Sequence, residues 1–321
     1  MTNFSRRTFA GGLPLAVLGG GVLPFTHPAQ SVAAPAAASV TPLAQIRLGR
    51  FTVTALTDGY ADMPYTYFPG RSAAQVEQAA TAQFVARPSG VRFVFNQYLI
   101  EDGERKVLLD AGPAGSIGQT GALPQVLAAL GLRRDQIDAV VVTHMHEDHM
   151  GGLVVGGQNN YPNAELYIDR RDVTHWTDQA KRSGAPDYLQ NSFRMSAEVV
   201  RLYPRLQAID GEREIARGIS IIDLTGHTPG HIGVRIEDAG QSLIMVSDML
   251  FPVVHPHATD VGFVFEQDRA AAQAMRDRFF PRAAADGALI AATHMPFPGL
   301  GRIVSDRGQL RWQVADWALQ A

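Results

Sequence analysis

Short apolar runs that end at a polar residue recur along this chain. They lie at 106–110, 137–142, 219–224, 243–248 and 288–294, and Val, Ile, Leu and Ala dominate them. Such short continuous runs, flanked by polar residues, predict buried strands of a largely parallel sheet. An open α/β sheet places its functional groups at the carboxyl ends of its strands, so each polar terminus is a candidate for the site.

The remaining pattern of apolar and polar residues predicts further strands and helices, which indicates the α/β class. No sequence repeat is obvious. Alternation of apolar and polar residues at 46–58 predicts half-buried strands that end in a turn at Asp58-Gly59. The stretch 92–100 is predicted to form a hairpin with 106–110 around a polar turn that contains glycine. Helical spacing predicts helices at 73–84, 123–130 and 266–282.

The segment after the central apolar run concentrates potential metal ligands. His144, His146, Asp148 and His149 fall within six residues. In an extended backbone, side chains two residues apart project to the same side, so His144 and His146 can reach one ion. Asp148 and His149 follow where the chain must turn, and can face a second point nearby. A lone histidine is more often a hydrogen-bonded core or surface residue, but four such groups at one strand end favour a metal site.

Composition narrows the chemistry. The chain has 321 residues and is 46% hydrophobic, which is enough to bury a large core. The net charge is -3, the pI is near 6.4 and no basic stripe is visible, so nucleic acid is not an expected partner. Cysteine is absent, which excludes disulfides, Cys-ligated zinc and a thiol nucleophile. Any metal must therefore be held by histidine and carboxylate.

The N-terminal residues predict export rather than fold. Arg6-Arg7 precedes a weakly apolar, Gly-rich stretch and then Ala/Pro/Ser-rich sequence, which resembles a twin-arginine signal and linker over 1–38. Ser31-Val32-Ala33 offers a small-x-small cleavage pattern. The apolar stretch is interrupted by Gly and Pro, and falls short of the ~20 apolar residues of a membrane span. We expect a periplasmic or secreted protein without a stable membrane span, and one large domain over 39–321.

The motif at 144–149 carries a resemblance. His-x-His-x-Asp-His after an apolar strand resembles the signature of the metallo-β-lactamase superfamily of binuclear metallohydrolases. Gly-His-Thr-Pro-Gly-His at 226–231, a strand closed by Asp248 and a strand followed by His294 match the elements that should come next, in the required order. The resemblance implies a four-layered αββα sandwich in which two similar halves contribute ligands from one edge.

The resemblance also implies a role for each candidate residue. Seven positions match metal ligands: His144, His146 and His227 for one ion, Asp148, His149 and His294 for the second, and Asp248 as the bridge. Asp248 and Asp148 carry the catalytic roles, because Asp248 would hold the bridge and accept a proton while Asp148 would orient the second ion. Asp110 and His231 match residues that support ligands without binding metal. Two divalent ions follow, with Zn²⁺ expected and Mn, Fe or Co as alternatives.

A narrower resemblance spans roughly 46–317. The stretches 294–301 and 224–231, with Trp176 and Phe193, are similar to methyl parathion hydrolase and its lactonase and arylesterase relatives. This resemblance implies that Trp176 and Phe193 form an apolar wall of the substrate pocket. It also implies a hydrolase that uses metal-bound hydroxide to open lactones or cleave aryl esters, with organophosphate triesters as a further substrate.

Several other functions are weighed against this one. A dedicated phosphotriesterase similar to methyl parathion hydrolase is the alternative. A β-lactamase is disfavoured because the narrower motifs point elsewhere, and an iron-dependent oxidoreductase on the same scaffold would be marked by bound iron. A complete ligand set argues against a metal-stabilised binding protein. The expected partner is a small-molecule ester, lactone or organophosphate, and the resemblance allows a homodimer.

Overall fold

The computed structural model describes residues 43–315, so the predicted signal and linker over 1–38 lie outside the described residues. Its strands, in chain order, are β1 (Ala44–Leu48), β2 (Phe51–Met63), β3 (Ala86–Arg87), β4 (Gly90–Glu101), β5 (Lys106–Leu109), β6 (Ala139–Val141), β7 (Val154–Val155), β8 (Gln158–Asn159), β9 (Glu165–Asp169), β10 (Leu206–Ile209), β11 (Arg213–Ala216), β12 (Ile219–Asp223), β13 (Ile232–Asp238), β14 (Gln241–Met245), β15 (Leu289–Ala291), β16 (Leu300–Asp306) and β17 (Gln309–Val314). Its α-helices are α1 (Ala73–Ala82), α2 (Leu123–Ala129), α3 (Glu147–Met150), α4 (Arg170–Trp176), α5 (Gln179–Gly184), α6 (Asp187–Leu202) and α7 (Arg269–Asp286).

Two mixed sheets form the centre of the fold. The first has the strand order β1-β2-β4-β5-β6-β9-β10, with β3 paired to β4, and its strands β5, β6, β9 and β10 run parallel. The second has the order β11 to β17 and is antiparallel except for the parallel pair β14 and β15. The carboxyl ends of β5, β6 and β9 therefore share one edge of the first sheet, and those of β12, β14 and β15 share one edge of the second.

Alternation of side chains along the strands explains the stacking of the layers. On β4, Tyr98 packs into the core between the two sheets, where it joins Val234 of the second sheet. The neighbouring Leu99 faces the other way, into the core that the first sheet shares with α2, α4 and α6. On the outer face of the second sheet, Ile290 packs with Phe280 of α7. The layer order of helices, sheet, sheet and helix confirms the predicted αββα sandwich.

One strand boundary was predicted wrongly. The sequence predicts a turn at Asp58-Gly59, but β2 continues to Met63 through a bulge between Thr57 and Gly59. Gly59 has a φ of 135°, which is open to glycine, and this lets the bulge form without ending the strand. The Asp58 carboxylate is buried and accepts a hydrogen bond of 2.7 Å from the Leu123 backbone N–H. Asp58 therefore anchors the start of α2.

The last helix is displaced along the chain from its predicted range of 266–282. It begins at Arg269 because the Asp268 carboxylate accepts the Ala271 N–H at 2.9 Å and caps the first turn. It ends where Gly287 adopts the left-handed conformation, with a φ of 61°. None of the helices in the described part of the chain is long and apolar enough to cross a bilayer.

Candidate metal centre

The predicted ligands meet at one edge of the sandwich. His144 follows β6 in the first sheet, while His227 follows β12, Asp248 lies in a single 3-10 turn after β14, and His294 follows β15. All five of the predicted histidine ligands and Asp248 are buried, and Asp148 is half-buried. Strand ends from both sheets thus build one polar cluster, as the sequence pattern predicts.

The first group comprises His144, His146 and His227. His144 Nε2 lies 2.9 Å from His146 Nδ1, and His227 Nε2 lies 3.0 Å from the same His146 nitrogen. The backbone of His146 is extended, which leaves His144 and His146 on the same side of the chain. Three imidazole nitrogens from two loops therefore converge on one point, as in a three-histidine metal site.

The second group comprises Asp148, His149 and His294. Asp148 Oδ2 lies 3.5 Å from His149 Nε2 and 3.4 Å from His294 Nε2. The turn that begins at Glu147 rotates Asp148 and His149 away from the first group, as the sequence analysis expects. His294 Nδ1 lies 3.2 Å from the Val94 carbonyl, which directs Nε2 of the same ring towards the group.

Asp248 lies between the two groups, and its carboxylate oxygens divide between them. Oδ2 lies 3.2 Å from His227 Nε2 and 3.8 Å from His144 Nε2. Oδ1 lies 3.1 Å from His149 Nε2 and 3.2 Å from His294 Nε2. One carboxylate thus faces both groups with different oxygen atoms, which is the geometry of a bridging ligand.

The electrostatics of the cluster keep the histidines of the first group neutral and Asp248 ionised, which are their metal-binding forms. Burial lowers the pKa of His146 to about 4 and those of His144 and His227 well below their usual range, so these rings are neutral near pH 7. Burial opposes ionisation of Asp248, but the surrounding histidines hold its pKa well below the usual value. Burial alone would lower the pKa of His149, yet the nearby carboxylates raise it. In metal-free protein His149 therefore carries the charge that balances them.

The donor set fits two divalent cations. Within the described residues, His149 Nε2 and His294 Nε2 are buried without any hydrogen-bond partner, although both face carboxylate oxygens. A buried polar atom without a partner is costly unless another group satisfies it. Imidazole and carboxylate are ligands that zinc and other first-row divalent ions accept. The clusters therefore support a binuclear metal site.

A network of hydrogen bonds from neighbouring residues supports these candidate ligands. Asp110 Oδ2 lies 2.8 Å from His149 Nδ1 and accepts the Thr143 hydroxyl at 2.8 Å, which is the supporting position that the sequence analysis gives to Asp110. Thr143 Oγ1 also lies 2.8 Å from Ser247 Oγ, and Ser247 donates to Asp248 Oδ1 at 3.3 Å. Asp110 and Ser247 have φ values of 58° and 47°, an unfavourable region for residues with a Cβ. Thr143 and Ser247 were missed because only the fold brings them together.

Asp172 is a second residue that the sequence analysis missed. Its buried carboxylate accepts hydrogen bonds from Met145 N–H at 2.9 Å, Gly230 N–H at 2.7 Å and the Thr228 hydroxyl at 3.0 Å. Burial raises its pKa to about 6 in spite of these three donors. Asp172 thereby ties the first turns of α4 to both histidine loops of the first group. The available signal was its position four residues before Trp176, which places both residues on the same face of α4.

His231 stays outside the ligand groups, as expected. His231 Nδ1 lies 3.1 Å from the Leu224 carbonyl, and its ring packs 5.2 Å from His144 and 5.6 Å from His227, centroid to centroid. Burial lowers its pKa to about 4. The ring is therefore a neutral spacer beside the first group.

A cavity of about 410 Å³ opens beside the cluster and reaches Asp248, His146 and Asp148. Its walls combine a few polar groups with apolar and aromatic side chains from Met63, Pro64, Tyr67, Ile117, Tyr188, Phe263 and Phe265. Most of the apolar wall therefore comes from the end of β2, from the turn that follows it and from the loop before α7.

The predicted substrate contacts of Trp176 and Phe193 need correction. Trp176 is fully buried and Phe193 is 3% exposed, and neither lines the cavity. Their rings pack on each other at 4.8 Å within the helical core, and the edge of Trp176 meets the His146 ring at 5.1 Å. Both side chains turn inward, and Trp176 packs against His146. Tyr188, on the same helix as Phe193, reaches the cavity instead.

Comparison with known proteins agrees with this geometry. The profile of the Metallo-beta-lactamase superfamily matches residues 92–294, which contain all seven predicted ligands. The chain therefore belongs to the metallo-beta-lactamase superfamily, a family that includes metal-dependent hydrolases. An N-acyl homoserine lactonase from Bacillus sp is 22% identical over 160 residues, 44% of this chain and 57% of that protein. A hydroxyacylglutathione hydrolase from Aeromonas salmonicida (strain A449) is 28% identical over 156 residues, 48% and 46% of the two chains.

The chain spans about half the length of the curated relatives that it matches. Solved structures cover more of it. The hydrolase AbOPH of the beta lactamase superfamily superposes with a TM-score of 0.77 at 26% identity, over 87% of this chain and 99% of that one. AidC, described as a dizinc quorum-quenching lactonase, superposes with a TM-score of 0.78 at 24% identity, over 86% and 98%. At 24% identity, the likeness to AidC shows a shared fold and nothing further.

Proposed function

We propose that this protein is a binuclear metal-dependent hydrolase that opens lactones or cleaves aryl esters. The observation that carries the proposal is the position of Asp248, whose two oxygens face two separate groups of ligands. His144, His146 and His227 would hold one ion, and Asp148, His149 and His294 the other. Zinc is the metal that we propose, since it suits a donor set of imidazole and carboxylate and a dizinc lactonase shares the fold.

When bound, two divalent ions lower the pKa of a coordinated water towards about 7 and polarise the oxygen of a carbonyl or phosphoryl group. The side chains of the protein position the two groups of ligands relative to the cavity. Asp248 bridges the groups and can accept a proton as the nucleophile forms, because its carboxylate lies at the floor of the cavity. Asp148 orients the second group, and Asp110 fixes the His149 ring through the 2.8 Å contact to Nδ1.

The cavity favours a substrate with an apolar acyl or aryl part. Tyr67, Tyr188, Phe263 and Phe265 provide aromatic surface within reach of the ligand cluster, so an apolar group can be buried while the reacting carbonyl lies at Asp248. A neutral phosphotriester with an aryl leaving group is the second candidate, since the same aromatic wall would receive it.

A substrate panel tests the proposal. Protein with a measured metal content would be assayed with an acyl-homoserine lactone, dihydrocoumarin, an aryl acetate, methyl paraoxon and nitrocefin. We expect the fastest turnover on a lactone or the aryl acetate. Preference for methyl paraoxon would move the protein to the phosphotriesterases, and preference for nitrocefin would make it a β-lactamase. No hydrolysis, together with bound iron, would overturn the proposal in favour of an oxidoreductase.

We also propose export through the twin-arginine signal, supported by Arg6-Arg7 and the small-x-small pattern at 31–33. The mass of the mature chain from a periplasmic fraction is expected to lack roughly the first 33 to 38 residues. Replacement of Arg6-Arg7 by Lys-Lys should retain the protein in the cytoplasm, and export of that variant would contradict the proposal.

A further inference from the structure

The cavity beside the metal centre is lined by acids without matching bases. Its lining includes Asp62, Glu147, Asp148 and Asp248, and no Lys or Arg occurs among the described residues that form it. Asp148 and Asp248 belong to the ligand groups. A pocket that receives an anionic substrate usually presents a cation to it. The described walls of this cavity offer none.

The carboxylate of Asp62 is already compensated. It pairs with Arg92 and accepts the Ser89 hydroxyl at 3.0 Å, and the Arg92 guanidinium stacks on the Tyr60 ring at 3.8 Å. These contacts lower the pKa of Asp62, the Arg92 hydrogen bond most of all. Asp62 therefore contributes little net field to the cavity, because its charge and that of Arg92 cancel at a distance.

Glu147 differs from the other three carboxylates. It lies between the ligands His146 and Asp148, is half-buried, and lines the cavity. Its backbone N–H donates to Ser192 Oγ at 3.1 Å, which fixes the residue at the start of α3. No Lys, Arg or His side chain of residues 43–315 forms an ion pair with the Glu147 carboxylate. Glu147 therefore adds a negative charge without an ion-pair partner to the lining of the cavity.

The charge of Glu147 acts on whatever enters. Two divalent ions carry more positive charge than Asp148 and Asp248 cancel, so the loaded centre attracts anions. In a partly enclosed cavity a fixed charge is screened less than in bulk water, and it changes the local concentration of charged ligands. An unpaired carboxylate at the edge of the centre opposes that attraction while leaving neutral molecules unaffected.

We propose that Glu147 is a specificity-determining residue that disfavours anionic substrates and thereby restricts the enzyme to neutral esters and lactones. The inference rests on the proposed function, which it deepens by naming the charge of the substrate.

The test compares two aryl esters of similar length. 4-Nitrophenyl butyrate is neutral, and 4-nitrophenyl hydrogen glutarate carries a carboxylate at the end of its acyl chain. In Glu147→Gln, the ratio of kcat/KM for the anionic ester to kcat/KM for the neutral ester should rise about threefold to tenfold, mainly because KM for the anionic ester falls. The gain should shrink as ionic strength rises. Metal content and unfolding midpoint should match those of the wild type.

Control variants show whether the effect of Glu147→Gln comes from the charge at that position. Glu104→Gln removes an exposed carboxylate from the turn between β4 and β5, away from the cavity, and should leave the ratio of the two esters unchanged. Glu147→Asp keeps the charge and should keep the discrimination. If Glu147→Gln loses metal, Glu147→Ala provides the same comparison with a second neutral side chain.

Failure of the Glu147 proposal can be distinguished from failure of the proposed hydrolase function. An unchanged ratio of the two esters in metal-loaded Glu147→Gln, or an equal change in Glu104→Gln, would overturn the role of Glu147 and leave the hydrolase assignment intact. Absence of ester and lactone hydrolysis in metal-loaded wild-type protein would overturn the proposed function itself.

Discussion

The candidate ligands of this centre are held in place by neighbours that lie outside the ligand groups. Thr143 Oγ1 lies within hydrogen-bond distance of Asp110 Oδ2, His144 Nδ1 and Ser247 Oγ. Through these contacts one hydroxyl links ligands of the first sheet to Ser247 and Asp248 of the second. We expect the precision of the centre to depend on this network, since supporting hydrogen bonds fix ring orientation and ligand basicity.

Two substitutions of Ser247 distinguish the contribution of its hydroxyl group from the energetic cost of its backbone conformation. Ser247→Ala removes the contacts to Thr143 and Asp248 but keeps a Cβ at a φ of 47°, so metal affinity should fall about tenfold. Ser247→Gly removes the same hydroxyl but relieves the backbone, and should be more stable than Ser247→Ala by about 1 kcal/mol with the same loss of metal affinity. Chelator competition and thermal unfolding measure the two effects. Wild-type metal affinity in both variants would contradict the role of the hydroxyl.

The candidate ligands and the supporting residues Asp110 and His231 were predictable from the sequence, whereas the other supporting residues were not. His144, His146, Asp148 and His149 share one short motif, and His227 shares another, so their chemistry is visible locally. Thr143, Ser247 and Asp172 are ordinary residue types whose partners lie far along the chain. Their roles follow from strand order and loop packing, which a local pattern does not encode.

At the scale of elements, loops are tied to rigid helices. Asp172 holds both histidine loops of the first group, and Arg276 of α7 is buried with Glu266 as its partner. Arg276 Nε also donates to the Met249 carbonyl at 3.1 Å, next to Asp248, while Glu266 adjoins the cavity residue Phe265. The two carboxylates therefore link helices to the ligands and to the cavity wall.

Replacement of Asp172 by Asn should loosen the first group. The amide nitrogen would face one of three donors, so a buried N–H or hydroxyl loses its acceptor and the free energy of unfolding should fall by about 1–3 kcal/mol. Activity should fall roughly 10-fold to 100-fold. Urea unfolding and kcat/KM measure both effects. Asp178→Asn, which alters a cap on the next helix, is the control for activity, and equal losses of activity in both variants would contradict the assignment.

The buried pair of Arg276 and Glu266 offers a second test at this scale. Arg276→Met leaves the Glu266 carboxylate buried without its partner and should lower the free energy of unfolding by about 3–5 kcal/mol. The double variant Arg276→Met/Glu266→Leu should recover part of that loss, because no unpaired charge remains. Urea unfolding of the single and double variants gives the comparison. A double variant as unstable as Arg276→Met would show that packing or the Met249 contact, rather than the charge, dominates.

For the molecule as a whole, the sequence predicts the layers of the sandwich better than it predicts strand boundaries or the orientation of helix side chains. Apolar runs and strand-end ligands lead to the αββα sandwich, because period and spacing report burial directly. The error at Asp58-Gly59 arose because a glycine in a bulge resembles a glycine in a turn. The error at Trp176 and Phe193 arose because aromatic content does not tell which helix face meets the cavity.

Buried histidines also set the pH response of the metal-free chain. Burial lowers the pKa values of His231 and His255 to about 4 in the folded state, against about 6.5 in the unfolded state. Protonation therefore favours unfolding, and stability present above pH 6.5 should be lost as the pH falls towards 4, by up to roughly 3 kcal/mol per group. His149, whose pKa is raised, acts in the opposite direction.

Urea unfolding of chelator-treated protein at pH 7, 6 and 5 measures this loss. His255→Gln removes one of these titrating histidines and lies outside the ligand groups, so its stability should vary less steeply with pH than that of the wild type. A free energy of unfolding that stays constant from pH 7 to pH 5 would contradict the account of these buried histidines.

On this interpretation Asp248 joins two groups of ligands into one binuclear centre. Elemental analysis of the purified protein by mass spectrometry would compare the wild type with Asp248→Ala. We expect about two divalent ions per chain in the wild type, as in two-metal sites, and one or fewer in the folded variant, with hydrolysis lost. Two ions retained in an active Asp248→Ala, or a fully active wild-type protein with no bound metal, would contradict the account.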